Sequence, residues 1–250
     1  MDTKNVIAAI SLSAAVIILY SLFFAPAVVE QKDIPNDKNI SSENSSTDAP
    51  SLVQDEESIK ISRNDALKEN ERVLFENDKI KGSISLIGSS IDDLTFKNYT
   101  NTLNGDDNVI LLNPKQSNNG YYVETGWATT SKNIDLPNSK SLWSIEGNNK
   151  LTPNSPVKLS WTNNQNIKFV KEISLDKQYL FNINQKIINN SDKTYNFYPY
   201  GQIIRNVAPD ITNFYILHEG LIGVFDDQLV EEDYDDIEEK KYSKNAQSGW

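Results

Sequence analysis

The chain has 250 residues, a formal net charge of −11 and no cysteine. That length holds one domain of ordinary size beside a single membrane segment. The charge excludes a general nucleic-acid binder, which needs a positive surface to displace counterions, and the missing thiols exclude a disulfide framework and a thiolate zinc site.

The first element is an apolar run from Val6 to Val29, with no charge between Lys4 and Glu30. At about 1.5 Å per residue, a helix of this length covers roughly the 30 Å hydrocarbon core of a bilayer. Ala25-Pro26-Ala27 offers the small residues of a signal cleavage site. The apolar core from Val6 to Phe24 nevertheless exceeds the roughly 7–15 residues of a cleaved signal. Residues 6–29 are therefore expected to stay in the lipid bilayer as a transmembrane helix. Lys4 and the terminal amine, set against Lys32, give only a slight charge bias, and the size and character of the residues that follow lead to the expectation that residues 1–5 are cytoplasmic.

Residues 30–70 lack apolar periodicity. Ser41 to Asp48 is polar throughout, and Pro50 and the acidic Asp55-Glu56-Glu57 follow. Such a segment cannot bury enough apolar surface to offset its ordering entropy, which predicts a flexible polar linker. Ile59 and Ile61 offer only a short strand-like patch within it.

From about Glu71 the pattern turns to period two. Ile80, Gly82, Ile84 and Leu86 share one face of an extended strand, and Lys79, Lys81, Ser83 and Ser85 share the other. Gly82 and Gly88 read as bulge or turn positions. A strand begins at Ile91, and shorter apolar runs follow at Val109 to Leu112, Tyr121 to Val123 and Leu142 to Ile145. Asn104 to Asp107 and Asn118-Asn119-Gly120 are turn signals between them.

The clearest β pattern lies between Val157 and Tyr200. Val157, Leu159 and Trp161 alternate with polar residues, Ile167 to Leu175 forms a second strand, and Tyr179, Phe181, Ile183, Gln185 and Ile187 line a third. Asn163 to Asn166, Asp176-Lys177 and Asn189 to Lys193 supply short polar turns before Tyr195 to Tyr200. Consecutive strands with such turns predict an antiparallel meander within an all-β domain over residues 71–250, a large antiparallel β-sandwich.

Few residues invite chemistry. His218 is the only histidine, and its neighbour Glu219 points to the opposite face of a strand, which spoils an acid–base pair. The acidic run from Asp226 to Glu239 lacks the spacing of a calcium loop and reads as a solvated charged segment, with Tyr234 and Ile237 interleaved toward the sandwich. Trp161 alternates with Val157 and Leu159 and so belongs to the core. Trp127, Trp143, Tyr198 and Tyr200 have the composition of a sugar- or peptide-binding platform, although the pattern does not place Trp127 and Trp143 on either face. No catalytic, cofactor-binding or metal-ligating residue is assigned, and no cofactor is expected.

Several segments carry a family likeness. They are Val73 to Asn77, Gly82 to Gly88, Ile91 to Leu94, Leu159 to Asn163 with Phe169, Tyr179 to Asn190, Tyr198 to Arg205, His218 to Gly223, and Ser248-Gly249-Trp250. In this order they resemble the N-terminal part of the YidC family of bacterial membrane protein insertases. The resemblance implies a galactose-mutarotase-like β-super-sandwich in the periplasm, anchored in the inner membrane. It also implies a non-enzymatic role in the insertion, folding and assembly of nascent inner-membrane proteins. The Sec translocon and its auxiliary subunits would be partners. The family's insertase bundle, with its groove arginine, has no counterpart in these residues, so the resemblance implies a chain cut at the junction near Trp250. A stand-alone anchored module for glycan or peptide, dependent on Trp127 or Trp143, is the rival reading. A mutarotase-like enzyme using His218 rests on fold analogy alone.

Overall fold

The computed structural model describes residues 60–209, 217–239 and 245–248. The expected membrane helix at 6–29 and residues 30–59 of the expected linker lie outside them. Among the described residues, no helix is long and apolar enough to cross a membrane.

The described part opens with a four-residue helix, α1 (Arg63–Ala66), whose Asp65 amide donates to Ser62 Oγ at 3.2 Å. Seven strands follow: β1 (Arg72–Glu76), β2 (Ile80–Ser85), β3 (Ile91–Thr100), β4 (Asn108–Leu112), β5 (Tyr121–Thr129), β6 (Ser144–Glu146) and β7 (Lys150–Leu151). Next come β8 (Val157–Thr162), β9 (Ile167–Leu175), β10 (Phe181–Asn189) and β11 (Phe197–Arg205). The hairpin β12 (Gly220–Phe225) and β13 (Gln228–Asp233) then leads into α2 (Tyr234–Glu239).

Eleven of these strands build two sheets, and β12 and β13 form a separate two-stranded one. Of the two, one runs β11-β5-β3-β2-β1-β7, with β4 also paired to β3; the other runs β10-β9-β8-β6. Their inner faces meet in one core. Val73, Phe75, Ile80 and Ile84 come from the first sheet, and Val157, Leu159, Phe169 and Ile173 from the second, all buried. Aromatic contacts cross the gap: Phe75 meets Phe181 edge-on at 5.1 Å, and Phe169 meets Phe197 at 5.6 Å. Alternating polarity along each strand produces this arrangement, because only one face of each sheet is apolar enough to be buried. The all-β sandwich read from the sequence is what the chain forms.

Three details depart from the sequence reading. First, the meander stops at β10. The Asn189 to Lys193 turn hands the chain to the other sheet, where β11 pairs with β5 in unbroken register from Phe197↔Thr129 to Arg205↔Tyr121. Second, β7 lies parallel to β1, Leu74↔Lys150 and Phe75↔Leu151, in an otherwise antiparallel sandwich. Third, Ser83 and Ser85 are buried although they sit opposite the apolar row of β2. A register shift at Ser83/Ile84 and a covering layer of charged side chains account for that burial.

Packing also begins before Glu71. Ile61 bridges Ser117, Ala66 is buried, and Arg63 pairs with Asp93. Gly82 is a position where only glycine fits, since a Cβ there would lie 1.9 Å from the Asp93 carbonyl. Gly88, with φ +72°, makes the turn its sequence context predicts.

The acidic segment is divided among three structures rather than one loop. Asp226 and Asp227, both with positive φ, form the two-residue turn between β12 and β13. Glu231, Glu232 and Asp233 lie on β13, and Asp235 and Asp236 in the first turn of α2, which packs on β13. Asp226 Oδ1 accepts from the amides of Gln247 and Ser248 at 2.8 and 3.0 Å, tying the hairpin turn to residues 245–248.

Candidate functional site

Two features stand apart from ordinary core packing. The first is Lys171, on the inward row of β9 between Phe169 and Ile173, and only 1% exposed. Its ammonium donates to Ser89 Oγ and to the Thr125 carbonyl, both at 2.5 Å. It also lies 4.9 Å from the ring centre of Trp143 and 5.9 Å from that of Trp127. Burial pushes its pKa down to about 7, and Glu124, on the adjacent wall with Tyr200, offsets this only in part. The space beside it is about 10 Å³, room for no more than a water-sized group. A bulky substrate has no access to this amine, so its geometry is that of an inter-sheet tie.

The same region settles the aromatic residues. Trp127 and Trp143 are 4% and 2% exposed and stack with ring centres 6.2 Å apart. The glycan- or peptide-binding platform expected of them is thereby overturned, because these two rings are core. Trp161 packs on Phe169 at 5.9 Å, as its strand parity predicts. Tyr200 lies across Gly126, where a Cβ would meet its hydroxyl at 2.6 Å, and Tyr198 is exposed. Tyr200 meets Trp143 only at the small space beside Lys171, which holds no more than a water-sized group.

The second feature is an apolar groove of about 520 Å³ between β3 and β4 of the first sheet and the β9–β10 turn of the second. Phe96 and Leu94 from β3, Val109 and Leu111 from β4, and Tyr99 and Tyr179 line it. Phe96 stands edge-on to Tyr99 at 5.6 Å and to Tyr179 at 5.9 Å. Leu111 and Tyr99 remain 38% and 57% exposed, so the groove presents apolar surface to the outside. The sequence marked Val109 to Leu112 as a strand, but nothing local shows that it meets Tyr179 of the β9–β10 turn across a groove.

His218 Nδ1 lies 3.0 Å from Asp233 Oδ1 across the β12–β13 hairpin, rather than toward Glu219. Among the described residues, no three of His, Asp and Glu gather in a way that could hold a metal ion.

Residues 72–250 match the family described as the YidC periplasmic domain. The membrane protein insertase YidC of Pelagibacter ubique is 56% identical over 253 residues, covering all of this chain and 44% of that protein. Its counterpart in Dinoroseobacter shibae is 34% identical over 94% of this chain and 40% of its own length. That of Rickettsia akari is 40% identical over 71% of this chain and 32% of its own length. The chain thus spans less than half the length of the curated relatives it matches. The match spans both sheets and the β12–β13 hairpin, and the chain belongs to the YidC membrane protein insertase family, of which residues 72–250 represent the periplasmic domain.

Proposed function

We propose that this chain is the amino-terminal portion of an insertase that helps hydrophobic segments of newly made inner-membrane proteins enter the bilayer and fold, with or without the Sec translocon. Residues 6–29 anchor it in the inner membrane with residues 1–5 in the cytoplasm. Residues 30–70 act as spacer, and residues 71–250 lie in the periplasm. An insertase lowers the cost of moving polar flanks through hydrocarbon and makes no bond, so no catalytic residue is required.

The observation that carries this reading is the match of the whole sandwich to the YidC periplasmic domain. The open apolar groove supports a docking role for it. Its lining is apolar and aromatic, suited to side chains of a passing segment or of a translocon subunit. Two measurements test the proposal. Deleting residues 6–29 is expected to move the protein from the membrane pellet to the soluble fraction; retention in the pellet defeats the anchor assignment. In a strain depleted of its own insertase, the full-length protein is expected to restore protease protection of a membrane-protein client. A Leu111→Asp form, folded by circular dichroism, is expected to restore less, and equal rescue removes the groove from the function.

A further inference from the structure

The sequence predicts a linker through residue 70, but residues 60–70 lie against the first sheet and its loops. What holds them there is slight. The Ile61 amide donates to the Gln116 carbonyl at 3.1 Å, Arg63 pairs with Asp93, and Ala66 is buried. Lys60, Ser62, Asn64, Asp65, Lys68 and Glu69 are exposed. The four residues of α1 are too few to hold a helix without packing. Regular attachment starts only at Glu71, whose carbonyl accepts from the Leu86 amide at 3.1 Å. From there β1 pairs with β2 along its whole length, with Val73 and Phe75 fully buried.

The two members of the Arg63–Asp93 pair are unequally provided for. Asp93 Oδ2 also accepts from Ser83 Oγ at 2.6 Å, and Ser83 Oγ accepts from Arg72 Nε at 2.7 Å. Arg72 in turn pairs with Asp92. Asp93 therefore keeps a partner inside the sandwich when Arg63 leaves. On the other side, Arg63 Nε is buried without an acceptor among the described residues, and it regains water on release. Departure of the segment thus costs the sandwich little and relieves the arginine of an unmet hydrogen bond.

We propose that residues 60–70 are a releasable strap, which undocks as one unit from a sandwich that stays folded, with Arg63 as its latch. A segment fastened by so few buried groups opens well before the sheets do. Release adds eleven residues to the free chain ahead of β1, a reach of up to about 36–40 Å. Use of that reach to vary the distance between sandwich and bilayer rests on the reading of residues 6–29 as the anchor; undocking itself does not.

The test is hydrogen exchange, read by mass spectrometry on the full chain in detergent. The amides of residues 61–68 are expected to exchange together, at least about tenfold faster than those of β2 and β9. Arg63→Gln, which alters the strap alone, is expected to speed them at least about tenfold further and to leave β2 and β9 as they were. Ile61 and Ser117 are bridge neighbours, and paired strands lie about 4.8 Å apart, within disulfide range. The chain has no cysteine of its own. An oxidised Ile61→Cys, Ser117→Cys double variant is therefore expected to slow the strap toward the rate of β2, and its reduction to restore fast exchange. That comparison within one protein decides the matter even if Arg63→Gln fails to fold. Exchange of the strap at the rate of β2 in the native chain overturns the proposal, as does the absence of any protection there. So does oxidation without effect, or an Arg63→Gln protein in which strap and sheets quicken alike or neither changes. No membrane enters these readouts, so the anchor can fail in fractionation while the strap stands, and the reverse.

Discussion

Two cations are buried in this sandwich, and they are treated in opposite ways. Arg72, at the start of β1, pairs with Asp92 on β3 and donates through Nε to Ser83 Oγ at 2.7 Å. Ser83 in turn donates to Asp93 Oδ2 at 2.6 Å, and Asp93 pairs with Arg63 of α1. Lys171 has no carboxylate within bonding reach and relies on a hydroxyl and a carbonyl. A buried ion pair is held by mutual need, whereas a buried lone cation can shed its proton. Burial pushes the Asp92 carboxyl up even so, against the pull of Arg72. The difference therefore lies in what happens when one member is removed.

Asp92→Ala is expected to have the largest effect. It strands the Arg72 guanidinium in a site where both side chains are nearly inaccessible, 8% and 4% exposed. Loss of one partner from such a pair costs about 3–5 kcal/mol. Urea unfolding with an unchanged slope and a lower midpoint is the expected readout. A loss under about 1 kcal/mol would mean that water reaches the guanidinium once the carboxylate is gone.

Lys171→Met sharpens the contrast through pH. The lysine's pKa is about 7 in the fold and about 10.4 in the unfolded chain, so between those values the unfolded chain binds more protons and stability rises with pH. The charged form below pH 7 carries the full penalty of burial. The methionine variant lacks this dependence but leaves Ser89 Oγ and the Thr125 carbonyl without their donor. It is expected to match or exceed the native protein near pH 6 and to fall below it by about 1–3 kcal/mol near pH 9, the usual cost of an orphaned buried polar group. Parallel stability curves for the two proteins would show that Lys171 does not change protonation over this range.

Both sites were partly legible in the residues themselves. Lys171 occupies the same parity as Ile167, Phe169, Ile173 and Leu175, so strict alternation points it inward. Reading Ile167 to Leu175 as a strand without assigning its two faces hid that. The hairpins β8–β9 and β9–β10 were legible because Asn163 and Asp176 accept from amides within their own turns. The passage from β10 to β11 was not, because the Asn189 turn has the same composition whether the next strand continues the sheet or leaves it. What decides is a nine-residue register with β5, far away in sequence. The groove escaped for a similar reason: Leu111 and Phe96 are apolar, and their meeting with Tyr179 around one groove is a non-local fact. Trp127 and Trp143 lacked a strand parity to place them, and their mutual stacking is again a non-local fact.

A third charged site, on the surface, sets the lower limit of the comparison. Glu146 of β6 receives Lys168 Nζ at 2.5 Å and Lys158 Nζ at 2.9 Å, and these bonds, Lys168 first, lower its pKa to about 2. A depressed carboxylate contributes stability above its unfolded pKa and loses it as pH falls toward the folded value. This site therefore fails between about pH 4 and pH 2, the reverse of the Lys171 window. The three side chains keep about a third to a half of their exposure, so solvent screens the attraction. Glu146→Gln is accordingly expected to cost less than about 1 kcal/mol at neutral pH, and most of that difference is expected to vanish in 1 M salt. The Asp92 and Lys171 effects should survive the same salt, because no counterion reaches either group. If salt instead erases all three differences alike, burial is not what separates these sites, and the contrast between the paired and the solitary cation falls with it.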